Sequence, residues 1–134
     1  MTAEKKYEIL VFEDNPENQD IMQRRLKKRG YIVHIACDGD AGLSILEKSY
    51  EDISLILMDI EMPGMNGIEV TKVIKKNESY RHIPVIAVSA NIDYREKQTL
   101  NEIGFQDTFL KPVDFTRLFR SINNILLTSA SKTG

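Results

Sequence analysis

Polar side chains follow the short apolar runs of this chain, at the points where β-strands would end. They are three acids, a hydroxyl and an ammonium group, namely Glu13, Asp14, Asp59, Ser89 and Lys111. Because the carboxyl ends of neighbouring parallel strands meet in one crevice, we expect these side chains to converge. Carboxylates bind divalent cations, and hydroxyl and ammonium groups bind phosphoryl oxygens. The spacing therefore predicts a site for a divalent cation and a phosphoryl group.

A purely structural role is the alternative to a chemical role for these residues. Glu13 and Asp14 could hold Mg²⁺, or could form an acidic turn that suits the start of a helix. Asp59 could attack phosphorus and form an aspartyl phosphate, or could be a solvated acid at a strand end. Ser89 could donate to a phosphoryl oxygen, and Lys111 could neutralise its charge. The combination favours phosphoryl chemistry.

The strands and helices that would position these residues alternate along the chain. Strands are predicted at 7–12, 32–36, 55–58, 85–88 and 108–110, and helices at 15–29, 40–48, around 70–74, 94–103 and 115–126. Asn15 is expected to cap the first helix, and Pro16 suits its first position. Five βα units in a row predict an α/β protein with a parallel sheet and helices on both faces. The helix at 94–103 has few apolar residues, so we expect it to be the most loosely docked.

The size and charge of the chain exclude several classes of protein. A chain of 134 residues fits one domain, which we assign to residues 1–127, followed by a short, frayed polar tail at 128–134. A net charge of −2 argues against direct nucleic-acid binding. No apolar stretch approaches the roughly 20 residues that span a membrane. The lone Cys37 provides no disulfide framework, and a cytoplasmic location is expected.

Other charged and titratable residues are interpreted as structural. The basic segment at 24–29 is predicted to be the solvated face and last turn of a helix, where cations suit the helix dipole. His34 falls in a predicted strand and His82 in a loop. Neither histidine lies in a helix like that of a histidine kinase, so neither is interpreted as a phosphohistidine.

The chain resembles a receiver domain of two-component signalling, of the flavodoxin-like type. The resemblance rests on Phe12–Asn15, Met58–Gly67, Ala87–Ala90 and Leu110–Pro112, and it extends from Tyr7 to Leu127. It implies a three-layer sandwich in which a five-stranded parallel sheet of order 2-1-3-4-5 is covered by five helices. It also implies a response regulator, which we expect to be a single-domain protein.

The resemblance assigns a role to each residue of the predicted site. Asp59 would be the phosphoacceptor and, together with Asp14, a Mg²⁺ ligand. Glu13 would bind the ion directly or through water, and the backbone carbonyl of Glu61 would be a further ligand. Ser89 would move to bond the phosphoryl group.

The resemblance also extends to the end of the fifth strand. Lys111 would pair with the carboxylate and then with the phosphate, and the Lys111–Pro112 peptide bond would be cis. Three residues before the lysine, many receivers carry Tyr or Phe, which swings inward on activation. Thr108 stands at that position here, so an aromatic switch of that kind is not expected.

The implied function is signalling by phosphorylation. The phosphoryl group would come from a phosphohistidine of a histidine kinase or a histidine phosphotransfer protein. The domain would catalyse its own phosphorylation and its own slow dephosphorylation, rather than turning over an external substrate. Phosphate would shift a two-state equilibrium in the face formed by the last two helices and the fifth strand, which would bind a downstream protein partner.

Three alternatives to this function stay open. A haloacid-dehalogenase-like phosphatase also uses an Asp nucleophile and Mg²⁺, but it normally needs a second Asp two residues later, where this chain has Glu61. A pseudo-receiver would bind partners without being phosphorylated, which the intact set of five residues disfavours. The chain could also be a receiver from a hybrid kinase, although we expect a free-standing protein.

Overall fold

The chain forms five β-strands and five α-helices in strict alternation over residues 6–91 and 93–133, which the computed structural model describes. The strands are β1 (Glu8–Phe12), β2 (Ile32–Ala36), β3 (Ile53–Asp59), β4 (Val85–Ser89) and β5 (Phe105–Leu110). The helices are α1 (Pro16–Lys28), α2 (Gly39–Ser49), α3 (Gly67–Lys76), α4 (Tyr94–Ile103) and α5 (Phe115–Thr133). All strand pairs are parallel, in the order β2-β1-β3-β4-β5. The predicted α/β fold and strand order are confirmed.

Helices cover both faces of the sheet. On one face the strands pack against α1 and α5, through side chains such as Leu26 and Leu118. On the other face they pack against α2, α3 and α4, through Leu46, Ile74 and Leu100. The central strands are buried on both sides, which explains why they appear in the sequence as continuous apolar runs rather than as alternating patterns.

A polar side chain precedes the first helical residue of the first four helices and accepts a backbone hydrogen bond there. These capping residues are Asn15, Asp38, Asn66 and Asp93. Such caps satisfy N–H groups that have no partner within the helix. The predicted start of α1, with its cap and Pro16 in the first turn, is confirmed.

The helix α3 buries Val70, Thr71 and Ile74, whereas Val73 is 43% exposed. One prediction about strand length needs correction. The strand β5 begins at Phe105, three residues earlier than predicted. Gly104, with a φ of 123°, ends α4 in a conformation that suits glycine, so the chain enters the strand immediately.

The helix α5 continues through most of the predicted tail. It is α-helical to Thr133, over residues for which a short polar tail was expected. The Thr128 hydroxyl donates to the carbonyl of Asn124, at 2.8 Å, which is the contact a threonine makes within a continuing helix. Gly134 lies outside the described residues, and the domain boundary at residue 127 stays a prediction. None of the helices in the described part of the chain is long and apolar enough to cross a membrane.

The basic segment at 24–29 does more than present charge to solvent. The guanidinium carbon of Arg25 lies 4.3 Å from the centre of the Phe115 ring, and that of Arg29 lies 4.4 Å from the centre of the Phe119 ring. Cations over aromatic faces are attracted by the ring quadrupole. The last turns of α1 are therefore attached to α5, which the interpretation as a solvated face did not anticipate.

Candidate functional site

The register of the sheet brings the predicted residues to one edge. Phe12 pairs with Met58, so the residues that follow them, Glu13 and Asp59, leave neighbouring strands at the same level. On the other side of β3, Asp59 pairs with Val88 of β4. Asp59 is the last residue of β3 rather than the first residue beyond it.

The fifth strand brings the lysine to the same edge. Ser89, the last residue of β4, pairs with Leu110 of β5, and the backbone N–H of Lys111 donates to the Ser89 carbonyl at 2.8 Å. The backbone therefore fixes the lysine beside the hydroxyl. The Lys111–Pro112 peptide bond is cis, as the resemblance implied.

Three carboxylates gather at the centre of this edge. One oxygen from each of Glu13, Asp14 and Asp59 lies within 4.8 Å of the others. Glu13 and Asp59 are buried, whereas Asp14 lies toward solvent. Like charges this close repel one another, and a divalent cation relieves that repulsion. The hard oxygen donors that Mg²⁺ prefers are the ones present, so the residues fit that ion.

Lys111 links two of the carboxylates. Its Nζ lies 3.2 Å from Asp59 Oδ2 and 3.3 Å from Glu13 Oε1. Burial alone would lower the pKa of Lys111, but the carboxylates of Asp59 and Glu13 outweigh burial and raise it. The side chain therefore stays an ammonium group and compensates part of the negative charge at the site.

Asp59 is held in an environment that disfavours its ionised form. Burial, reinforced by the neighbouring Glu13 carboxylate, raises the pKa of Asp59 to about 7 despite the opposing charge of Lys111. Without a metal ion, a large fraction of this carboxyl is protonated at neutral pH. A cation bound beside it would favour the carboxylate form.

The loop after β3 packs closely around Asp59. Its Oδ1 accepts the backbone N–H of Glu61 at 3.1 Å, and the N–H of Gly67 donates to the Ile60 carbonyl at 3.0 Å. A Cβ added at Gly67 would lie 2.4 Å from the Asp59 carbonyl oxygen, so only glycine allows α3 to begin this close to the strand. The role of the Glu61 carbonyl as a metal ligand stays a prediction.

The Glu61 side chain makes contacts that the sequence interpretation missed. Its Oε2 accepts the Ser89 hydroxyl at 2.7 Å, and its Oε1 accepts the backbone N–H of Ala90. Ser89 Oγ also lies 3.3 Å from the N–H of Asn91. The only sequence signal was an acid two positions after Asp59, which does not by itself indicate a partner 28 residues away.

A second group of missed residues supports Glu13. Its Oε2 accepts the backbone N–H of Asn15 at 3.2 Å, and the Gln19 side chain donates to its carbonyl at 2.7 Å. Asn15 thus both caps α1 and orients an acid of the site.

Thr108 and the histidines lie apart from the acids. Thr108 is partly buried in β5, and its N–H donates to the side chain of Asp107, which also accepts the Ser121 hydroxyl of α5 at 2.6 Å. His34 pairs with Glu8 of the neighbouring strand at 2.8 Å, in line with a structural role.

Comparisons with known proteins point to one family. The sequence pattern of the response regulator receiver domain matches residues 9–123. The chain is 32% identical over 118 residues to the polar-differentiation response regulator DivK of Brucella ovis, covering 88% of this chain and 94% of that protein. It is 38% identical over 120 residues to hybrid signal transduction histidine kinase I of Dictyostelium discoideum, covering 86% of this chain but only 7% of the kinase.

Solved structures agree with the fold and, in one case, with the chemistry of the site. A response regulator receiver protein from Pseudomonas putida has a TM-score of 0.83 at 26% identity, over 91% of this chain and 99% of that one. The receiver domain of the sensor histidine kinase PA1611 from Pseudomonas aeruginosa has a TM-score of 0.77 at 29% identity, over 91% of this chain and 98% of that one. That domain was solved with a magnesium ion coordinated in its active site cleft.

Proposed function

Because this chain belongs to the response regulator receiver domain family of two-component signalling, we propose that Asp59 is the phosphoacceptor of a phosphorelay. The observation that carries the proposal is the convergence of a buried carboxylate, an ammonium group and two further acids at one edge of the sheet. Lys111 contacts Asp59 directly, and Glu13 and Asp14 surround the same carboxylate.

The reaction is a phosphoryl transfer from nitrogen to oxygen. A carboxylate oxygen of Asp59 attacks the phosphorus of a phosphohistidine on a histidine kinase or a histidine phosphotransfer protein. The new O–P bond forms as the P–N bond breaks, and the imidazole leaves with the bonding electron pair and takes up a proton. Lys111 compensates the charge on the transferring group, and the Ser89 hydroxyl donates to a phosphoryl oxygen. Slow attack of water on the phosphorus then restores Asp59.

The three acids would also hold the Mg²⁺ of the reaction. Asp14 and Asp59 would supply carboxylate oxygens, Glu13 would bind directly or through water, and the backbone carbonyl of Glu61 would be the further ligand. When bound, the ion neutralises the carboxylates and the phosphoryl oxygens at the same time. The magnesium site of the PA1611 receiver supports this assignment.

The output of the domain would be a protein contact on the face formed by α4, β5 and α5. A surface cleft of about 880 Å³ lies over β5, lined by residues that include Lys97, Arg117 and Arg120. Leu110 at the end of β5 is an exposed large apolar side chain. We propose a downstream protein partner here rather than nucleic acid or a membrane, and a location in the cytoplasm.

Phosphorylation from a small donor tests this function directly. Incubation with Mg²⁺ and acetyl phosphate should add the mass of one phosphoryl group, as a hydroxylamine-sensitive acyl phosphate. Asp59→Asn should abolish the added mass, because an amide cannot form the acyl phosphate. Asp52→Asn is the matched control, since Asp52 is an exposed acid just before the other end of the same strand.

The possible outcomes separate the candidate functions. Labelling of Asp59→Asn equal to that of the unchanged protein would rule out Asp59 as the acceptor. If the unchanged protein is never labelled, the pseudo-receiver interpretation is favoured. Continuous release of inorganic phosphate from small phosphate esters would instead favour a phosphatase.

A further inference from the structure

The Ser89 hydroxyl, which should bind a phosphoryl oxygen, and the neighbouring Ala90 N–H already donate to an anion that belongs to the chain. The Glu61 carboxylate accepts the Ser89 hydroxyl through Oε2, at 2.7 Å, and the Ala90 N–H through Oε1. We propose that this pair of hydrogen bonds, here called the Glu61 latch, closes the phosphoryl-binding position in the unphosphorylated protein and opens on phosphorylation. The proposal rests on the proposed function, because it assumes that a phosphoryl group forms on Asp59.

The latch and a bound phosphoryl group exclude one another, because each donor of the latch has only one proton to donate. A serine hydroxyl has one proton to donate, and a backbone amide also has one. While Ser89 and Ala90 donate to Glu61, neither can donate to an oxygen on phosphorus. Two charge-assisted hydrogen bonds must therefore be exchanged when the phosphoryl group arrives.

The latch also joins two loops that are far apart in sequence. Glu61 belongs to the loop between β3 and α3, whereas Ser89 and Ala90 lead into the loop before α4. The two backbone segments meet through Ile60, whose N–H donates to the Val88 carbonyl at 3.0 Å. Glu61 is exposed, and these two hydrogen bonds attach its side chain to the loop before α4. Opening the latch would free the loop before α4 without disturbing the core.

The neighbouring acids make the latch testable by comparison. Glu61 and Glu96 line the same surface cleft with Ser89, and both side chains are exposed. The Glu61 side chain accepts hydrogen bonds from Ser89 and Ala90. Glu96 instead donates its backbone N–H to the side chain of Asp93, the residue that caps α4. Removing either carboxylate takes one negative charge from the cleft, but only one removal opens the latch.

The first measurement is the binding of beryllium trifluoride, an anion that resembles a phosphoryl group, at fixed Mg²⁺. Titration would be followed by the backbone amide signals in nuclear magnetic resonance. We expect Glu61→Ala to tighten binding about tenfold, because a competing anion is lost. Glu61→Gln should give a smaller gain, since its amide oxygen still accepts one hydrogen bond. Glu96→Gln should bind as the unchanged protein does.

The second measurement needs no phosphoryl chemistry. Amide hydrogen exchange of Ala90 in the unmodified protein should be about tenfold faster in Glu61→Ala than in the unchanged protein. Exchange in the core strands should not change, which shows that the variant is folded. Glu96→Gln should leave Ala90 exchange unchanged.

The two measurements distinguish failure of the latch from failure of the proposed function. If the unchanged protein and all variants fail to bind beryllium trifluoride, the proposed function is in error, and the opening of the latch on phosphorylation fails with it. Ala90 exchange then decides only whether the two hydrogen bonds of Glu61 hold the loop. Unchanged Ala90 exchange in Glu61→Ala overturns the latch, as does anion binding that is equal or weaker in both Glu61 variants. Equal tightening in Glu96→Gln also overturns it, because the effect would then be one of charge alone.

Discussion

Asp14 is the carboxylate that the structure leaves open for a cation. Glu13 uses both oxygens inside the protein, one toward Lys111 and one toward the N–H of Asn15. Asp59 likewise has both oxygens engaged. In the part of the chain that the structure describes, no hydrogen bond or ion pair is recorded for the Asp14 side chain, which faces solvent. A metal ion should therefore depend most on Asp14.

The expected result is a metal-dependent increase in stability. At a Mg²⁺ concentration tenfold above Kd, binding to the folded state alone contributes about 1.4 kcal/mol to the free energy of unfolding. The melting temperature should rise accordingly in thermal unfolding followed by circular dichroism. Asp14→Ala should remove most of this rise, and it should stabilise the metal-free protein by relieving repulsion among the acids.

Glu17→Ala is the matched control for the metal response. Glu17 is an exposed acid in the first turn of α1, close to the site in sequence but outside the group of three carboxylates. Its removal should leave the response to Mg²⁺ intact. A full response in Asp14→Ala would mean that the ion binds elsewhere.

At the scale of residues, the sequence predicted which side chains meet but not all of what they do. Glu13, Asp59 and Lys111 could be found because each directly follows a short apolar run, and the parallel sheet determines where strands end. The contact between Glu61 and Ser89 depends on how two loops fold over the edge. Loop conformation depends on individual dihedral angles and hydrogen bonds rather than on a period in the sequence, so this contact could not be predicted.

At the scale of elements, β5 is connected to α5 by a side-chain hydrogen bond. Asp107 accepts the Thr108 N–H and the Ser121 hydroxyl, which ties the strand to the helix. Thr108 itself is small and pairs with Ala87 in the sheet. A conformational response to phosphate should therefore travel through Ser89 and the loop before α4, and α4 is weakly attached. Of its described side chains, only that of Leu100 is fully buried.

Hydrogen exchange should locate this response. With Mg²⁺ and beryllium trifluoride bound, the largest change in amide exchange should fall in Ala90, Asn91 and α4, because Ser89 is drawn toward the anion and α4 has few buried contacts. Thr108→Ala should leave the pattern largely intact. If that variant bound the anion normally yet lost the response, Thr108 would itself be part of the switch.

The elements were predicted well where a local signal marks their ends. Asn15 and Pro16 mark the start of α1, and Gly30, with a φ of 92°, follows its end. The start of β5 was missed because residues 106–108 are polar and Phe105 follows a glycine directly.

At the scale of the whole molecule, the site reduces the free energy of unfolding through a few buried polar groups. Among the described residues, the fully buried polar or charged side chains are Glu13, Asp59, Thr71 and Ser89, and three of these four lie at the site. The rest of the core is apolar on both faces of the sheet. Stability of the metal-free protein should therefore vary with the ionisation of the site.

The direction of that variation follows from Asp59. Its pKa is raised from 3.8 to about 7, chiefly by burial. Between these two values the unfolded chain has released the proton while the folded protein still holds it. The folded state therefore binds more protons over this range, and its stability must fall as the pH rises through it. Above about pH 7 both states are ionised at this group, and the loss is complete.

We therefore expect the metal-free protein to lose stability on the order of 2 kcal/mol between pH 5 and pH 8. Urea unfolding in a metal chelator at each pH measures this loss. Asp59→Asn carries no titrating group at that position, so its free energy of unfolding should change much less over the same range. It should exceed that of the unchanged protein at pH 8, where an ionised Asp59 is buried beside Glu13.

Asp52→Asn, which removes an exposed acid, should keep the full pH dependence. A pH dependence in Asp59→Asn as steep as in the unchanged protein would show that other groups cause it. Saturating Mg²⁺ should reduce the dependence in the unchanged protein, because a cation beside Asp59 favours its ionised form.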